Sequence, residues 1–155
     1  MSLLRDEHEI ALNRIHVICE EAHDRYAEAA ERVDAPALAA LLHDLARRRD
    51  AAARLVRRHV RARGELPVDP DTDTETVHRA VEWVTLALAS DEARALLDER
   101  EKQEADLTDA LGQALRLEWP AAVRADLERL ADEAAADRRR LAAARAQAAS
   151  RGPSA

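Results

Sequence analysis

Apolar residues recur along this chain at intervals of three and four, the spacing that gathers them on one face of an α-helix. A first stripe holds Leu4, Ala11, Ile15, Ile18, Ala22, Tyr26, Ala29 and Val33, and a second Leu38, Leu41, Leu45, Ala52, Val56 and Val60. A third holds Ala93, Leu96, Leu107, Leu111 and Ala114, and a fourth Val123, Leu127, Leu130, Ala134, Leu141 and Ala148. Every stripe contains small residues, so the helices are expected to approach closely, toward the ~8 Å end of the usual interaxial range.

Helix breakers cut the chain between these stripes. Pro36 fits the first turn of a new helix and disfavours helical backbone in the residue before it, so Asp34-Ala35-Pro36 separates a helix at about 6–33 from one at about 36–63. Gly64, behind Arg61 and Arg63, suits a helix end, and the aperiodic ELPVDPDTDT of 65–74 reads as a loop. A short helix over about 75–89 follows, then Ser90-Asp91-Glu92 caps a helix to about 117, and Trp119-Pro120 turns the chain into a last helix at about 121–149. The four long helices each have about 28 residues, or ~42 Å, and matched lengths are those of a four-helix bundle. Short turns make the first and last pairs antiparallel hairpins, whereas 64–90 is long enough to cross the length of the bundle. The expected architecture is an all-α, ferritin-like four-helix bundle with one long crossover carrying an additional short helix, a single domain over 1–149 and a disordered tail at 150–155.

Composition sharpens this picture. Among 155 residues there are 3 Gly, 1 Tyr and no Phe, too few aromatic side chains for a sheet protein. The net charge of −7 disfavours a generic polyanion binder, so nucleic acid is not the expected partner. Cys19, the one cysteine, allows no internal disulfide and fits a reducing cytoplasm, and no apolar run reaches the length of a signal peptide or membrane span.

Charged residues interrupt the stripes at informative places. The second stripe calls for an apolar residue at 49 and the chain supplies Arg49; the third contains Arg100 with Glu104 on its flank; the fourth contains Asp137 between Ala134 and Leu141. Arg49, Glu104 and Asp137 each fall within about three residues, ~5 Å of axial rise, of their helix midpoints. They are therefore expected to share one layer, joined from the first helix by Tyr26 and the flanking Glu21. A lone buried charge costs several kcal/mol, so the layer is expected to be paired, with Arg49 a five-donor fork between Glu104 and Asp137. The alternative is that these long side chains reach past an alanine-rich seam to water.

At this point the residues resemble a family. Leu12-Asn13, Ile15, Ile18, Glu21 and Tyr26-x-x-Ala29-Ala30 are similar to the first helix of a bacterial family of uncharacterised ferritin-like four-helix-bundle proteins. Arg49, His78-Arg79-Ala80, Leu96-Leu97 with Glu104, and the Asp137 region extend the likeness over about 8–145. The chain departs from that pattern in having no glycine in DPDTDTETV before the His-Arg pair, and Val81, with Trp83 nearby, where tryptophan is common. The resemblance implies a non-catalytic structural or protein-interaction module, homo-oligomeric and with a stress-related role. Di-iron members of the wider superfamily use a Glu from each of two helices and Glu-x-x-His from each of the others. Neither LARRRDAAA around Arg49 nor DEAAADRRR around Asp137 contains histidine, which leaves Glu21, Glu104 and Asp137 as weak candidate ligands. No cofactor is expected; a carboxylate-rich, iron-handling oxidoreductase using those three acids is the competing enzyme reading.

Two other groupings of side chains carry candidate chemistry. Glu20-x-x-His23, with His16 a turn earlier, has metal-chelating spacing, but Glu20 is rotated about 140° and the histidines about 80–100° from the apolar stripe, which puts them at or outside the bundle edge. His8 lies on the apolar phase and is expected to pack or fray, and His43, His59 and His78 are scattered. Arg47, Arg54, Arg57, Arg58 and Arg61 share the outer face of the second helix; with no interleaved aromatics they read first as a solvated face, with weak nucleic-acid binding as the alternative.

Overall fold

The computed structural model describes residues 6–64, 67 and 90–150. These form four helices, α1 (Glu7–Arg32), α2 (Pro36–Ala62), α3 (Ser90–Ala114) and α4 (Ala121–Ser150), and no strand occurs among the described residues. Local chemistry sets their ends. Asp6 caps α1 by accepting from the backbone N–H of His8 at 3.2 Å, and Pro36 opens α2. Gly64, at φ 79°, closes α2 with its N–H donating to the Arg61 carbonyl, a left-handed backbone that a side chain would strain. The third helix stops at Ala114 rather than near 117, where the chain tightens into turns: the Ala114 carbonyl accepts from the Leu117 N–H at 3.0 Å and from the Trp119 indole N–H at 2.8 Å as the chain turns toward Pro120. The expected helix at 75–89, His78, Leu4 and 151–155 lie outside the described residues.

Polar contacts fix the arrangement. Arg63 meets Asp6 across α1 and α2 at 2.6 Å, and the His23 ring meets the Ala46 carbonyl at 2.9 Å, so the pair is antiparallel. Arg14 donates to Gln113 and Tyr26 to Glu104, so α3 is antiparallel to α1. His59 with Asp126, and Arg140 with Asp44, set α4 antiparallel to α2, and Arg145 with Asp98 closes α3 on α4. Going round the bundle the order is α1, α2, α4, α3, so α2 and α3 are parallel across the diagonal.

The interior is not one continuous apolar seam. One cluster contains Leu12, Ile15, Cys19, Val56, Val60, Leu107, Leu111, Leu127 and their neighbours; the other contains Tyr26, Ala30, Leu42, Leu45, Leu97 and Leu141. Between them in sequence on α2, α3 and α4 fall Arg49, Glu104 and Asp137, so a charged layer divides the core into two halves.

Candidate functional site

Arg49 reaches this layer because it replaces an apolar residue between Leu45 and Ala52, on the buried side of α2, and it is the largest fully buried side chain among the described residues. Arg49, Tyr26, Glu104 and Asp137 are each 0% exposed. Arg49 Nε donates to Glu104 Oε1 at 2.9 Å, and Arg49 Nη2 donates to Asp137 Oδ2 in a short contact. The Tyr26 hydroxyl donates to the same Glu104 Oε1 at 2.7 Å. Asp137 also takes Arg48 Nε on Oδ2 at 3.1 Å and Arg140 Nη1 on Oδ1 at 3.3 Å, while Arg140 Nη2 reaches Asp44 at 2.8 Å. The cluster thus joins all four helices, with its half-buried and exposed cations on the α2–α4 side.

Its electrostatics follow from burial and pairing. Burial opposes the Arg49 charge, yet Glu104 and Asp137 outweigh it and hold the guanidinium above the ordinary arginine value. Burial, reinforced by the neighbouring Glu104, pushes the Tyr26 phenol far above its usual value. Cys19, fully buried beside this layer, is pushed up to about 12 by burial, with Arg49 opposing. Arg100 is 5% exposed, pairs with Glu99 at 3.1 Å, and is lowered by its burial. Among the described residues Glu104 Oε2 and Arg100 Nε meet no hydrogen-bond partner.

Two placements differ from the sequence reading. Glu21 is exposed: Cys19 and Ala22 face inward on α1, and Glu21 lies a full 100° helical step off Ala22, so it does not join Glu104 and Asp137. His16 is fully buried rather than peripheral, because α1 packs against both α2 and α3 and its covered arc is wider than one stripe. His16 Nε2 lies 3.5 Å from Glu20, which in turn receives Arg57 of α2. At the bundle end His8 packs edge-on against Trp119, with ring centroids 4.6 Å apart, and bridges Asp6 and the Glu118 carbonyl.

A paired metal centre does not fit these residues. The cation of Arg49 lies between the two central carboxylates and takes a lone pair from each, and Glu21 points elsewhere. Among the described residues no group of three or more His, Cys, Asp and Glu side chains is placed to hold a metal ion. Arg48, Arg140 and Cys19 are members of the site that the stripes left unassigned. The signals were there: Arg140 is three residues from Asp137, and Cys19 is seven from Tyr26, two helical turns on the same face.

The class defined by these features is an all-α bundle of four helices with a buried charged layer and no helix, among the described residues, long and apolar enough to cross a membrane. The chain belongs to the family described as "Domain of unknown function (DUF2383)", whose model matches residues 8–117, spanning α1 to α3. No curated protein and no solved structure matches it.

Proposed function

We propose that this chain is a non-catalytic helical bundle of ferritin-like arrangement, acting in the cytoplasm as a structural or protein-interaction module and self-associating. The observation that carries this reading is the Arg49 guanidinium, buried between Glu104 and Asp137 where a redox centre would need open carboxylates. A fixed cation that holds one oxygen of each acid links α2, α3 and α4, with Tyr26 joining α1 through Glu104, and among the described residues it leaves no ligand set for a substrate-activating metal. Self-association is supported by the small exposed residues along α4, among them Ala121, Ala122, Ala125, Ala143, Ala146 and Ala149, which permit close helix approach.

The test pairs two measurements. Metal analysis of untagged protein and an iron(II) titration followed for oxo-bridge absorbance are expected to show no stoichiometric metal and no such band; two irons per chain would overturn the metal-free reading in favour of an iron-handling protein. Light scattering coupled to size-exclusion chromatography at tens of micromolar is expected to show an oligomer, and a monomer alone would remove the self-association half.

A further inference from the structure

One surface feature is left over by this reading. On α2, Asp50, Ala53, Arg54, Arg57, Arg58 and Arg61 follow the helical period, and with Glu20 of α1 they line a cleft of about 420 Å³. The buried, small Ala53 leaves room between the helices. Two of the four arginines are committed: Arg57 to Glu20, and Arg54 to Asp50 at 2.9 Å. Arg58 and Arg61 are exposed, and among the described residues neither meets a carboxylate. Among the described residues the lining therefore carries four guanidinium groups against two acids, a surplus of two positive charges in a chain whose net charge is −7.

We propose that this α1–α2 cleft binds a small phosphorylated compound through its phosphoryl group. A surplus of two guanidinium charges matches one phosphoryl dianion, and the planar forks of Arg pair bidentately with its oxygens. The volume lies within the range of small-ligand sites, roughly 300–1,000 Å³. Among the described residues no aromatic side chain lines the cleft to stack a base, and the acidic remainder of the chain repels a long polyanion. Glu20 competes with the ligand for Arg57 and sets the affinity. This reading is independent of the charged layer and of self-association.

The experiment is calorimetric titration of the full chain with pyrophosphate at low salt, with a single-stranded oligonucleotide as a second probe. Pyrophosphate is expected to bind the unaltered chain, and the exposed double substitution Arg58→Ala/Arg61→Ala is expected to weaken it by at least about tenfold, the loss typical of charge-assisted hydrogen bonds. Arg47→Ala, outside the cleft, is expected to leave binding unchanged, and Glu20→Gln to tighten it by freeing Arg57. No binding at millimolar pyrophosphate, equal binding by the double variant, or oligonucleotide binding that pyrophosphate does not compete would each overturn the proposal.

Discussion

Arg49 and Glu104 share a hydrogen bond of 2.9 Å in a place where neither side chain touches water. Removing one member of such a pair leaves the other charge stranded. Arg49→Leu is therefore expected to destabilise the fold by about 3–5 kcal/mol, whereas removing Arg49, Glu104 and the Tyr26 hydroxyl together is expected to restore much of that loss, since Asp137 keeps Arg48 and Arg140. Urea midpoints of Arg49→Leu and of Arg49→Leu/Glu104→Leu/Tyr26→Phe make the comparison. A single variant as stable as the parent would show that the pair is not a buried charged pair in solution.

Tyr26 is the one tyrosine in the chain, so the tyrosinate difference absorbance reports its ionisation alone, the two tryptophans adding a background that does not titrate. Because its folded-state value is raised above the ordinary 10.0, its stabilising contribution is complete below pH 10 and is lost as pH rises beyond it. Tyrosinate absorbance is expected to appear only together with the loss of helical circular dichroism. Smooth titration near pH 10 in a still-helical protein would show the hydroxyl to be solvated.

Cys19 offers a similar readout. With its thiol pushed from 9.0 up to about 12 and no exposed surface, it is expected to be inert to a thiol-specific disulfide reagent at pH 8 and to react at once in denaturant. Reaction of the native protein at the denatured rate would mean that this half of the core opens readily.

At the Trp119 end of the bundle, the Asp6 carboxylate raises His8 above 6.5 and His8 lowers Asp6 below 3.8. The His8 contribution is present below pH 6.5 and fades as pH rises through the raised value; the Asp6 contribution is present above pH 3.8 and fades as pH falls. The start of α1 is thus expected to be held most firmly between these limits. Nuclear magnetic resonance titration should show His8 titrating above an ordinary histidine, and Asp6→Asn should bring it back.

Much of this was legible in the sequence because helix content, helix order and stripe phase all follow from a 3.6-residue period and a few breakers. Pro36, Gly64 and Trp119-Pro120 lie at real boundaries. Arg49 and Asp137 stood out because each replaces an apolar residue in mid-stripe, and there the phase is unambiguous. Flank positions were not legible in this way. Glu21 and Glu104 look alike beside their stripes, yet one is exposed and the other fully buried, because the neighbours of α1 and α3 cover different arcs. His16 was hidden for the same reason, since α2 lies over a side of α1 that a single stripe does not describe. The cleft of α2 could not be read at all: its arginines form a recognisable basic face, but which acids neutralise which of them depends on how α1 and α2 are set against each other.

The division of the core into two oily compartments bears on how this protein can move. Packed helices often answer a signal by ratcheting one past another by a single turn, about 5.4 Å, exchanging one set of equivalent apolar neighbours for the next. Here such a step would carry the guanidinium of α2 in among leucines and leave two acids facing each other, so shear along the long axis is costly. Splaying of the helix ends, where His8 meets Trp119 on one side and Arg145 meets Asp98 on the other, breaks only those outer contacts and leaves the charged layer paired.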